Sequence, residues 1–224
     1  MDDIPENLPG PCTELSVQKN NGERVSLFVN GEFIGGFHRE VVAAAGVRRN
    51  SVITAALFEQ LVRDDRQYKL RDQIYRWLAI RNHSSGELRK KALAKGYSAE
   101  EISRAIEKAE ERGYTDDAAF ARQFAEEKKR SRKWGPVKIR AALSQKGIKK
   151  QYIASALKGL FDDPSLQDDL YAASRSIRSR LLRTEKGIKR KKKLADFLIR
   201  RGFPSHVVFE QSDDLLNRLE HEER

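Results

Sequence analysis

Two aspartate pairs, Asp116-Asp117 and Asp162-Asp163, come nearest to chemistry by residue type and spacing. Adjacent carboxylates are the raw material of divalent-metal sites and acid–base dyads. Each pair, however, opens or closes a predicted helix, where carboxylates satisfy exposed amides and complement the helix dipole. Capping therefore explains them more cheaply. The four histidines (His38, His83, His206 and His221) are scattered, with no paired helical spacing and no cysteine partner. That pattern argues against a metal centre. Cys12 stands alone, which excludes an intramolecular disulfide. Glu185-Lys186-Gly187 lacks the upstream glycine and the Ser/Thr of a phosphate loop. No nucleophile elbow and no Cys/His arrangement is present. The reading is of a non-enzyme with no cofactor and no metal.

What the chain has instead is charge in blocks. Lys128 to Lys158 holds 11 Lys/Arg and no Asp or Glu; Arg175 to Arg201 holds 12 against Glu185 and Asp196. These stretches carry +11 and +10, so the rest of the +11 chain sums to −10. Solvated helix faces explain scattered charge, but poorly explain a 31-residue span without one acid. The asymmetry implies a positive surface facing an anionic partner, nucleic acid or acidic protein. No window approaches 18 apolar residues, so no membrane span is expected. The start, MDDIPENLPGP, is acidic and lacks the apolar core of a secretory signal. The protein is expected to be cytoplasmic, monomeric and without a membrane partner.

Elements to position these charges follow from periodicity. With 39% hydrophobic and 34% charged residues, thin helical cores fit the 224-residue chain better than one thick core. Residues 1–12, with Pro5, Pro9, Gly10 and Pro11, read as a flexible arm. Alternation at Leu15, Val17, Val25, Leu27, Val29, Phe33 and Phe37, divided at Asn20-Asn21-Gly22 and Asn30-Gly31, predicts a three-stranded antiparallel meander. A helix from His38 to Ala45 then covers it, giving a small α+β head over 13–55. A connecting helix follows over 56–67, where Asp64-Asp65 either divides two helices or lies on one exposed face. Trp77, with Ile74 and Leu78, reads as core.

Three helix stops share one pattern: Lys95-Gly96-Tyr97, Lys146-Gly147-Ile148 and Arg201-Gly202-Phe203. Eight residues before each glycine stand Leu88, Ile139 and Leu194. Four before stand Ala92, Leu143 and Leu198; six after stand Ile102, Ile153 and Val208. These are two turns of one helix face, a left-handed glycine stop and the face of the next helix. Ser98, Asp116 and Ser205 are the expected N-caps. The third copy degrades after Val208, with Ser212 where Ile106 and Leu157 stand. The fold class is thus mainly α: three tandem three-helix repeats (68–113, 114–163 and 164–219) forming an elongated solenoid behind the head, with a tail at 220–224.

Gly113-Tyr114-Thr115-Asp116-Asp117, Phe120-Ala121-Arg122, a basic segment, Gly135-Pro136 and Leu143-Ser144-Gln145-Lys146-Gly147-Ile148 resemble the signature of the regulatory protein RecX family. The resemblance covers about residues 68–220 and is most specific over 113–148; the head looks like the strand-rich extension of some members. Two departures stand out: Ala142 where the family often has Glu, and Glu126-Glu127 displacing basic residues near the end of the helix. What the resemblance implies is a modulator of RecA, lying in the groove of the filament RecA forms on single-stranded DNA and suppressing ATP hydrolysis and strand exchange. The partners implied are the RecA filament and, weakly through its backbone, single-stranded DNA. A direct DNA-binding helical protein of helix-turn-helix type, independent of RecA, is the alternative. QYIASALKG offers few reading side chains, which favours backbone contact.

The residues expected to meet the partner are Arg122, Lys128, Lys129, Arg130, Arg132, Lys133, Trp134, Lys138, Arg140 and Lys146, with Lys189, Arg190, Lys191, Lys192 and Lys193. Two readings stay open. Trp134 either stacks on a partner or plugs a helix corner. Arg122 either meets the partner or pairs with Glu126 at i, i+4.

Overall fold

A computed structural model describes residues 4–221, with the side chains of residues 163 and 164 left aside. Residues at both extremes of the expected arm and tail lie outside this range. The chain forms two compact units, Met1–Arg81 with Lys91–Glu111, and Asn82–Lys90 with Arg112–Arg224.

In the first unit, strands β1 (Gly10–Gln18), β2 (Asn21–Val29) and β3 (Glu32–His38) pair antiparallel. Asn30 and Gly31 both take positive φ, the tight hairpin turn their sequence calls for. The other turn falls at Lys19-Asn20, so Asn21-Gly22 already belongs to β2. Helix α1 (Arg39–Ala44) follows, with His38 accepting from the Glu40 amide as N-cap. A fourth strand, β4 (Val52–Ile53), pairs with Gly10 and Pro11 and sets the order β3-β2-β1-β4. The sheet thus has four strands where alternation predicts three; a two-residue strand has no period to read. β1 also begins inside the stretch expected as an arm, and Cys12 is a buried core residue. Leu27, Val29, Phe37, Val41, Val42, Phe58 and Leu61 complete that core on one face of the sheet.

Helix α2 (Ala55–Ile80) runs unbroken through Asp64-Asp65. Asp64 is exposed, but Asp65 is buried. Its carboxylate accepts both Arg24 guanidinium nitrogens at 3.1 Å and the His38 amide at 2.7 Å, with the Lys69 ammonium at 2.8 Å. Burial alone raises its pKa, yet these donors together outweigh burial and hold it below the usual 3.8. A depressed carboxyl contributes stability above the ordinary carboxylate range, which is lost as pH falls through the lower folded value. Asp65→Ala is expected to cost about 3 kcal/mol by stranding the Arg24 charge. Asp65→Asn should flatten the loss of stability below pH 4, as followed by urea melts across pH.

Helices α3 (Ser85–Leu93) and α4 (Ala99–Glu111) complete the first repeat. The boundary between the two units passes through α3, after Lys90. Ser98 and Glu101 form a reciprocal capping box at α4, and Ser84 and Glu87 form another at α3. Trp77 is half-buried, with the Lys91 ammonium 5.1 Å over its ring. Its face is shared with a cation where a pure core residue was expected.

The second unit adds α5 (Asp117–Arg132), α6 (Pro136–Gln145), α7 (Lys150–Leu157), α8 (Asp163–Arg175), α9 (Arg178–Leu182), α10 (Ile188–Arg201) and α11 (Ser205–His221). Ser176 and Ile177 separate α8 from α9. Asp116 caps α5 through the Ala118 and Ala119 amides. Asp162 holds the N-cap position of α8 without a side-chain bond. Ser205 is not a cap: the Val208 amide bonds the Pro204 carbonyl, so Pro204 holds that position.

The three stops are built alike. Gly96, Gly147 and Gly202 take φ of +82°, +78° and +92°. The following amides of Tyr97, Ile148 and Phe203 donate to Ala92, Leu143 and Leu198, and the glycine amides to Leu93, Ser144 and Ile199. This is the Schellman arrangement three times over. Leu88, Ile139, Leu194, Ala92, Leu143, Leu198, Ile102, Ile153 and Val208 are all buried. Ser212 is buried too, its hydroxyl returned to the Val208 carbonyl.

Within the second unit, the start of one such helix receives the end of the next. The Ser84 hydroxyl donates to the Lys146 carbonyl at 2.7 Å, and Gly86 lies against Gly147. The Gly135 and Val137 amides donate to the Arg201 and Gly202 carbonyls at 2.8 and 2.9 Å. Lys90 and Lys138 each donate to the carbonyl two residues before the glycine, Gln145 and Arg200. Free N-terminal amides thus satisfy free C-terminal carbonyls, and opposite dipole ends meet.

Candidate functional site

The basic break between α5 and α6 is a turn with fixed geometry. Lys133 closes α5 in the left-handed conformation, and the Trp134 amide bonds the Lys128 carbonyl. Gly135 and Pro136 then open α6, with proline's missing N–H at the helix start where it costs nothing. Trp134 packs on the core of the middle repeat beside Ile139 and Leu143, under the Lys138 ammonium at 4.8 Å. It fills the corner between α5 and α6.

The predicted cations separate into two groups. Many are occupied inside the chain. Lys129 reaches the Leu160 carbonyl, Ser165 hydroxyl and Asp169, below Phe161. Lys146 pairs with Glu87 at 2.6 Å and stands over Phe120 and Phe124. Arg190 is 5% exposed and donates to the Leu182 and Thr184 carbonyls and to Glu220. Lys189 pairs with Glu185, Lys191 with Asp213, and Lys193 donates to Thr184. Lys128 pairs with Glu127; that bond and the Ser131 hydroxyl hold the Glu127 carboxyl below its usual range.

The side chains of Arg122, Arg130, Lys133, Arg140 and Lys192 are exposed, with no hydrogen bond or ion pair among the described residues. The Arg132 side chain is exposed and acts only at a distance on Glu127. The Arg122–Glu126 pair does not form. On α5, Arg122, Arg130 and Lys133 recur at spacings that share one face.

Sequence reasoning passed over Arg200 and Arg201. Through its carbonyl and side chain, Arg201 is bound to Gly135 and Arg132, while the Arg200 carbonyl takes Lys138. Arg132, Lys133, Lys138, Arg200 and Arg201 therefore gather where α6 receives the end of α10. At the matching place where α3 receives the end of α6, the carboxylates of Glu87 and Asp117 intervene. Glu87 takes Lys146, and Asp117 is buried against the Ser85 amide and hydroxyl. The signal available in the sequence was the basic residue before each glycine stop, which marks these junctions. Among the described residues no group of His, Cys, Asp and Glu fits a metal ion, and no helix is long and apolar enough to cross a membrane.

Family models match in three places. The RecX N-terminal domain matches residues 11–54, the first three-helix domain of RecX 71–108, and the second 116–157. A regulatory protein RecX of Pelodictyon phaeoclathratiforme is 40% identical over 126 residues, 56% of this chain and 76% of that protein. The chain belongs to the RecX family. A RecX of Clostridium botulinum (strain Alaska E43) is 27% identical over 206 residues, 92% of this chain and 96% of that protein. A crystal structure of a regulatory protein RecX superposes with TM-score 0.76 at 20% identity, over 92% of this chain and 99% of that one. The RecX of Lactobacillus salivarius gives 0.61 at 19%, over 69% and 98%. These two likenesses are of fold. The RecX domain matches fall on the sheet head and on the first two glycine-stopped repeats.

Proposed function

We propose that this RecX protein is a non-catalytic, cytoplasmic regulator of RecA that binds the RecA–single-stranded DNA filament in its groove and suppresses ATPase and strand exchange. Its functional units on this reading are the head (13–55) and the repeats 68–113, 114–163 and 164–219. Membership of the RecX family carries the reading, and the exposed cations support it. Arg122, Arg130, Arg132, Lys133, Arg140 and Lys192 have charge to offer a partner, whereas Lys129 and Arg190 hold the fold together.

The test is RecA ATPase on single-stranded DNA with substoichiometric protein. Inhibition below one protein per RecA is expected, and an unchanged rate would overturn the reading. Direct binding to naked single-stranded DNA across a salt series separates the alternative. The expected affinity is weak and falls steeply, by a slope of about −0.7 per neutralised phosphate. Tight, sequence-dependent binding that persists at high salt would instead identify a repressor.

A further inference from the structure

The face of the head sheet turned away from its core carries a row that neither the fold nor the basic surface uses. Glu14 is registered opposite Phe28, and Phe28 opposite Phe33. Directly opposed residues share a face, so these three side chains stand side by side across β1, β2 and β3. Leu27 and Val29, which flank Phe28 in sequence, point the other way into the core, and neither Phe28 nor Phe33 belongs to that core. The next row is Ser16, Ser26 and Gly36, where the Gln18 amide lies over Gly36 and donates to the Ser26 hydroxyl. Phe28 and Phe33 meet edge to face, centroids 5.7 Å apart at 66°, and Phe33 is 58% exposed. Glu14 is exposed and has no cation among the described residues. The nearby Arg24 and Arg39 are committed to Asp65 and Glu23.

We propose that this row docks an arginine side chain of a protein partner. The guanidinium plane lies across the Phe28–Phe33 pair while its N–H groups donate to the Glu14 carboxylate, which stands opposite Phe28. An aromatic pair flanked, across the strands, by an unpaired carboxylate suits a flat, forked cation, which stacks and donates at once; a lysine ammonium does one or the other. Single-stranded nucleic acid also stacks on aromatic sheet faces. Here the Glu14 carboxylate, on the same face as the rings, repels phosphate. The site is independent of the RecA reading and is tested without RecA.

The experiment is an NMR titration of the isotope-labelled full chain with acetyl-Gly-Arg-Gly-amide, its citrulline counterpart, and a thymidine hexanucleotide. Expected is a saturable shift of the Glu14, Phe28 and Phe33 amides with the arginine peptide only. Glu14→Gln and Phe33→Leu, which keep size and sheet packing, should each weaken it by about fivefold to tenfold. Equal shifts with citrulline, shifts confined to other acidic residues, or a response of the row to the oligonucleotide would each overturn the assignment.

Discussion

Gly202→Ala is expected to destabilise the second unit by roughly 3–5 kcal/mol, while the same change at Gly96 costs only about 1–2 kcal/mol. Both glycines end a helix in the left-handed region, at φ of +92° and +82°. That shared strain sets the smaller figure. The difference lies in space. A Cβ at Gly96 meets nothing within 4 Å, whereas at Gly202 it overlaps the Lys138 Cβ and backbone nitrogen. The Val137 amide bond to the Gly202 carbonyl holds the two chains at that approach. Relief requires separating α6 from the end of α10, which would strand the Arg201 carbonyl as well. Gly147 is intermediate, its added Cβ falling 2.8 Å from the Gly86 Cα. Thermal melts followed by circular dichroism should rank the variants 202, 147, 96. For a chain of this size the Gly202 loss corresponds to roughly 10 °C. Equal losses at 96 and 202 would mean that the glycines serve conformation alone.

That contrast also explains what the sequence could reveal. The glycine stops were legible because a left-handed helix end favours one residue type, and the residues eight and four before it must face the core. Asp116 was legible as a cap because capping is local. What escaped depends on residues far apart in the chain. Asp65 looks like a surface acid within the charged run Arg63-Asp64-Asp65-Arg66; Arg24, 41 residues away, and the His38 amide join Lys69 in offsetting its burial. The Ser84 hydroxyl donates to the Lys146 carbonyl 62 residues away. Arg190 sits in the densest basic run, yet Glu220 and two carbonyls draw it inside. Charge density along a chain locates a basic region. It does not tell which cations are spent internally, because that follows from acids and carbonyls brought in by packing.

The distinction sets the second large effect. Replacing Arg122, Arg130, Arg132, Lys133 and Arg140 together with alanine should leave the fold intact, since these side chains are exposed and make no hydrogen bond or ion pair among the described residues. Exposed substitutions of this kind change stability by about 0.5 kcal/mol or less each. Binding to an anionic filament should fall much further. Each cation near a polyanionic surface contributes through counterion release, so five removed charges lower affinity by roughly a hundredfold or more at moderate salt. Lys129→Ala and Arg190→Ala should behave in the opposite way. Each leaves a buried or half-buried partner without its cation, Asp169 in one case and the Thr184 carbonyl in the other. Their cost appears in the melting temperature, with filament affinity retained by the folded fraction.

The measurement that reaches the central claim is RecA ATPase on single-stranded DNA, titrated in parallel with the wild-type chain and the five-fold exposed variant at one moderate salt concentration. The account predicts inhibition by substoichiometric wild-type protein and a shift of the variant's inhibition curve to concentrations at least tenfold higher, with an unchanged melting temperature. Superimposable curves from two equally folded proteins would contradict it.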